Sequence, residues 1–320
     1  MAPPAAPTRP MTTRPAYRDL PDGSAWEVLD PRLGSLELLT PERVAAAARL
    51  VRSGTRFALD LPLDVPSPPF FGRQPFRHEV FSLGMDFVFD DKLDNFFPQS
   101  STQWDGFGHF GHPTRGFFGG RPAEDIQAKT VGVDAWAESG LAGRGVLLDV
   151  ARHAEIPGDT AFVIGPDLLS ATASAQGVEL RTGDILCVRV GWLTWYRGLD
   201  AAGREAVSAG SRQYTFDRFR TPGLGPGRAI AEYLWDHGVA AIAVDNPGVE
   251  AFGPGVMRGP DESVHTLVLA LLGIPLGELF DFDALAENCA GDGVYEFLFT
   301  SKPLGVRGGI GSPPNAIAIK

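Results

Sequence analysis

Pro226-Gly227-Arg228-Ala229-Ile230-Ala231-Glu232-Tyr233-Leu234-Trp235-Asp236-His237-Gly238-Val239-Ala240-Ala241-Ile242-Ala243-Val244 carries a helix and a strand back to back. The helix is expected over about 226–237, because proline suits a first turn and Gly238 is a stop. The apolar run 239–244 follows at once and reads as a strand. The same two element types recur outward from here. Residues 145–150 and 184–190 are apolar enough for buried strands. Residues 263–272 read as a buried helix ending at Gly273, and 283–288 as a short helix. Residues 294–300 and 316–319 read as closing strands. Toward the N-terminus, Thr40 caps a helix over 41–53 that Gly54 ends. Residues 56–61 and 78–89 alternate like strands, and the Gly/Phe/His-rich stretch 91–120 reads as a structured loop. Helices and strands alternate without a strict rhythm and without an internal repeat. The expectation is one mixed α/β domain over residues 21–320, built around a sheet or open barrel. Residues 1–20, which begin Met1-Ala2-Pro3-Pro4, are expected to be a disordered arm.

A net charge of −11 with no offsetting Lys/Arg run repels phosphate backbones and anionic lipid surfaces, so nucleic acid and membrane are not expected as partners. No run approaches the roughly 18 apolar residues of a membrane helix, and the N-terminus lacks an apolar leader core. A cytoplasmic protein is expected. Cys187 and Cys289 lie far apart without a C-x-x-C and read as buried free thiols. The 39 glycines and 27 prolines imply many loops, as suits a site assembled from several segments.

The densest polar segment is Gln99-Ser100-Ser101-Thr102-Gln103-Trp104-Asp105-Gly106-Phe107-Gly108-His109-Phe110-Gly111-His112. It offers amides, a carboxylate and two imidazoles, which are metal-binding groups. In extended backbone Gln103 and Asp105 point to one side, as shared coordination requires. A second segment, Val264-His265-Thr266-Leu267-Val268-Leu269-Ala270-Leu271-Leu272-Gly273-Ile274-Pro275-Leu276-Gly277-Glu278-Leu279, sets one imidazole and one carboxylate among apolar residues. Buried there, His265 needs a partner and Glu278 a counter-charge, and a cation meets both needs.

Together these segments resemble the cyclase family of metal hydrolases, which includes bacterial kynurenine formamidase (arylformamidase), isatin hydrolase and, more distantly, trans-dienelactone hydrolase. The family pattern H-x-G-T-H-x-D-x-P-x-H falls on residues 99–109. Thr102, Asp105 and His109 match, whereas Gln99 and Gln103 replace histidines and Phe107 replaces proline. His265, Gly273-Ile274 and Glu278 match the second signature. Gly183-Asp184-Ile185-Leu186-Cys187-Val188-Arg189-Val190-Gly191-Trp192 resembles the family's G-D-x-x-L-x-R-x-G-W strand. The T-Q-W-D form is similar to the trans-dienelactone hydrolase branch, which implies a single metal.

The resemblance implies a swivelling β/β/α open barrel with surrounding helices, a homodimer, and one zinc or manganese ion. Asp105, His265 and Glu278 are the implied ligands, with Gln103 as a possible fourth. His109 matches the family's catalytic histidine, a general base and then acid. Trp104, Phe107, Phe110, Phe117 and Phe118 are candidate walls for a ring-shaped substrate, a cyclic amide, lactone or formamide. His112 falls outside the motif, as do His78, His153 and His237. Two other readings compete. Gly223-Leu224-Gly225-Pro226-Gly227, a helix, and Asp245 about twenty residues on outline a dinucleotide-binding loop, although Arg228 and Pro226 spoil its pattern. Alternatively, the chain is a non-catalytic binding protein on the metal fold. A serine hydrolase is not supported, since no G-x-S-x-G is present.

Overall fold

The computed structural model describes residues 14–212, 218–256 and 259–320. Among them, one mixed sheet of nine strands organises the fold. Its order is Arg56–Ala58, Ile317–Ile319, Glu296–Ser301, Leu141–Asp149, Ile185–Arg189, Ala241–Val244, Leu276–Glu278, Gln103–Asp105 and Gly311–Ser312. The four strands from Leu141–Asp149 to Leu276–Glu278 run parallel. Covered on both faces, they are apolar without alternation: Ile185, Leu186, Cys187 and Val188 are all buried, as are Ala241 through Val244. Antiparallel strands flank this centre on either side.

The connection between the last two strands shows that the sheet curls. Gly311–Ser312 is one edge, and Ile317–Ile319 is next to the other. In a flat sheet seven strand spacings of about 4.8 Å, roughly 34 Å, would separate them. The five residue steps from Ser312 to Ile317 reach at most about 18 Å. The sheet therefore bends into an open barrel and brings its far strands together. Trp104 Nε1, from one side, donates to Ser301 Oγ on the other at 2.9 Å. The Trp104, Phe280 and Phe299 rings fill the space between.

The helix that opened the sequence argument spans Arg228–Asp236 and hands over to the strand Ala241–Val244 through Gly238, whose φ is +70°. The segment 263–272 is helical and buried, but as a π-helix over His265–Leu271. Leu272 N bonds Leu267 O five residues back, at 3.2 Å. The expected strand over 78–89 is instead a hairpin: Arg77–Met85 pairs with Val88–Asp94, turning at Asp86-Phe87. It stands off the domain with both strands exposed, and Phe87 at its tip is 83% exposed. Helix Pro41–Ala48 starts at Thr40 as expected but stops well before Gly54. Within the expected arm, Tyr17 and Leu20 are buried, with Tyr17 N bonded to Asp236. Residues 1–13 of the expected arm lie outside the described residues.

Candidate metal centre

The site is built where the strand Gln103–Asp105 pairs antiparallel with Leu276–Glu278. The register sets Glu278 opposite Gln103 and Leu276 opposite Asp105, so all three polar side chains project from one face. Trp104, between them, points into the barrel interior. Thr102 locks the start of this pairing: its Oγ1 donates to Leu279 O at 2.7 Å and accepts from Leu61 N at 2.8 Å. The first turn of the π-helix then lays His265 over the pair. His265 Nε2 is 3.3 Å from Glu278 Oε1 and 3.6 Å from Asp105 Oδ2. His109, on the loop after the strand, comes within 3.7 Å of Asp105 Oδ1. Asp105, His109 and His265 each offer one donor atom within 4.8 Å of the others.

Three buried acceptors in this cluster have no hydrogen-bond partner: both carboxylate oxygens of Asp105 and the amide oxygen of Gln103. Unpaired buried carboxylates are costly, and a cation offsets that cost. The spacings also suit one. Donors bonded to a tetrahedral zinc at about 2.1 Å lie roughly 3.4 Å apart, close to the 3.6 and 3.3 Å from His265 Nε2 to Asp105 and Glu278. The electrostatics agree. Burial opposes ionisation of Asp105, yet the imidazoles of His109 and His265 and the Arg73 guanidinium hold its carboxyl below the usual range. Burial and the Asp105 charge push Glu278 up. Burial works against a charge on His265 too, but contacts to Asp105, Glu250 and Glu278 raise its pKa well above normal. The positive charge held on His265 among these acidic groups is one that a divalent ion would supply instead.

Glu250 is the residue that sequence reasoning missed. It is buried, and its Oε1 accepts from His265 Nδ1 at 2.8 Å, so Nε2 is the nitrogen turned toward the carboxylates. Its Oε2 accepts from Val264 N at 2.8 Å and its Oε1 also from Ser263 Oγ at 3.0 Å. A carboxylate that orients a ligating imidazole is a recurrent support in metal sites. Its signal was a lone acid in the apolar run Val249-Glu250-Ala251-Phe252. Arg73 was missed as well; it also holds the Gln99 carbonyl at 2.7 Å.

The aromatic residues divide. Trp104 and Phe107 are core rather than pocket walls: Trp104 packs on Phe280, and Phe107 on Phe118 and Trp136. Phe118 is fully buried with them. Phe117 lies against Gly111, where a Cβ would meet its ring at 3.2 Å. Phe110 alone of this set combines exposure, 44%, with a ring 5.2 Å from that of His265. His112 bonds Asp261 at 3.0 Å, outside the cluster. The glycine loop packs against Glu250. Gly223 lies so close to Glu250 that a Cβ would meet its backbone at 2.5 Å. Both oxygens of Asp245 are taken by the amides of Val190 and Gly191.

The family model described as putative cyclase matches residues 57–251, well over half of the chain. The chain belongs to the cyclase family. A crystal structure of a novel cyclase is 30% identical, covers 93% of this chain and 99% of its own, and superposes with a TM-score of 0.79. Isatin hydrolase A from Ralstonia solanacearum is 19% identical over 88% of this chain and 97% of its own, at a TM-score of 0.60. Isatin hydrolase A from Labrenzia aggregata, bound to benzyl benzoate, is 19% identical over 85% and 94%, at 0.58. These two likenesses are of fold. No curated protein sequence matches the chain significantly. Among the described residues no helix is long and apolar enough to cross a membrane.

Proposed function

We propose that this cyclase-family chain is a metal-dependent hydrolase that cleaves an amide or cyclic ester bond in a small substrate: a cyclic amide, a lactone or a formamide. The observation that carries the proposal is Asp105, fully buried with both oxygens unpartnered beside His265 and Glu278. Asp105, His265 and Glu278 would hold one divalent ion, zinc or manganese, with Gln103 as a fourth donor. Such an ion supplies Lewis-acid polarisation of the scissile carbonyl and acidifies the attacking water. The protein's own residues do the rest. Glu250 keeps the Nε2 lone pair of His265 aimed at the centre by binding its Nδ1–H. His109, at the rim, takes a proton from the attacking water and returns one to the leaving group. Phe110 offers an exposed apolar face next to His265 on which a ring can lie. Two such chains would form a homodimer.

Elemental analysis of the purified protein tests the central point. One zinc or manganese per chain is expected, and removing it with a chelator should abolish hydrolysis of lactone or formamide substrates until metal is restored. Full activity in metal-free protein would dispose of the proposal.

A further inference from the structure

Gln103 occupies a position from which it can choose the metal. Its side chain is 1% exposed and shares a strand face with Asp105. Its Nε2 donates to Glu278 Oε2 at 2.7 Å. That bond sets the direction of the amide. Reversing it would press an amide oxygen against a carboxylate oxygen. The end left over is Oε1, and it is buried without a partner. The strand cannot easily retreat to hydrate it, because Trp104 is buried in the barrel and Thr102 is tied to Leu279.

We propose that Gln103 ligates the ion through Oε1 and thereby biases the centre toward an oxygen-preferring cation of the manganese class over zinc. The inference rests on the metal-centre reading above and adds the ion's chemical class to it. The donor set becomes three oxygens, from Asp105, Glu278 and Gln103, and one imidazole, from His265. Carboxylate and carbonyl oxygens suit manganese, whereas imidazole adds more to zinc. The general affinity order still favours zinc in absolute terms, so the ratio of the two affinities is the quantity that Gln103 governs.

The experiment titrates metal-stripped protein with Mn2+ and with Zn2+ in competition with a chelator of known affinity. Gln103→His, checked for folding by its thermal melt, should raise the zinc-to-manganese affinity ratio by about tenfold or more, the scale on which single groups at metal sites act. A second measurement needs no variant. Wild-type protein carrying 13C at glutamine side-chain carbonyls and loaded with Mn2+ should show a 13C hyperfine coupling by electron–nuclear double resonance. An unchanged ratio in a folded Gln103→His protein, or no such coupling in the wild type, overturns the role of Gln103 and leaves the metal centre standing. Failure of either ion to bind wild-type protein removes both.

Discussion

His109 and His265 face one carboxylate at nearly equal range, 3.7 and 3.6 Å from its two oxygens. Distance alone does not divide ligand from proton carrier; surroundings do. The His265 side chain is buried at 7% exposure and pinned by Glu250, as a ligand should be, while that of His109 is 23% exposed and in reach of bulk water, as a proton carrier must be. His109→Ala should keep its metal and lose roughly 10²–10⁴ in turnover. Metal content falling in step with activity would make His109 a ligand instead. Glu250 is an acceptor at both oxygens, so Glu250→Gln sets an NH2 group against a donor and loosens the His265 ring. Metal affinity should drop about 10–100-fold. Equilibrium dialysis returning wild-type affinity for folded Glu250→Gln would reduce that residue to a packing role.

At the scale of elements, the sequence was most legible where chemistry is repetitive. The buried parallel strands and the helix ahead of Ala241–Val244 declare themselves by unbroken apolar runs and a glycine stop. In the site, His265 and Glu278 stand out as single polar groups in apolar company, and Asp105 as part of the densest polar segment. Glu250 had the same signature but no metal-like neighbour in sequence, since its partner lies fifteen residues on, across a loop. Alternation along Gln103–Asp105 sends Trp104 to the face opposite its neighbours, into the core. The hairpin was read as one strand because its turn, Asp86-Phe87, has no glycine to mark it. That element bears on assembly. Two isolated strands are marginal in water, and this pair exposes Val80, Leu83, Met85, Phe87 and Phe89. Exposed apolar patches mark interaction surfaces. If the chain is a homodimer held through this hairpin, Phe87→Ser with Phe89→Ser should shift it to monomer in sedimentation velocity. A dimer indifferent to both changes would place the interface elsewhere.

For the molecule as a whole, the curl of the sheet joins what the strand order separates. Residues 313–316 run like a clasp between the two rims of an open ring, and Trp104 and Ser301 meet inside it. A sheet with free rims frays from each edge independently. Here a rim cannot peel away without dragging on the clasp and exposing the indole. Opening should therefore be a single event for both rims, and it should also undo the strand Gln103–Asp105. Amide hydrogen exchange reads this directly. The protected amides of residues 56–58, 103–105 and 317–319 should share one opening free energy and respond together to denaturant. Distinct opening energies for the two rims would show that the clasp is slack, and that the site strand can be lost while the opposite edge stays folded.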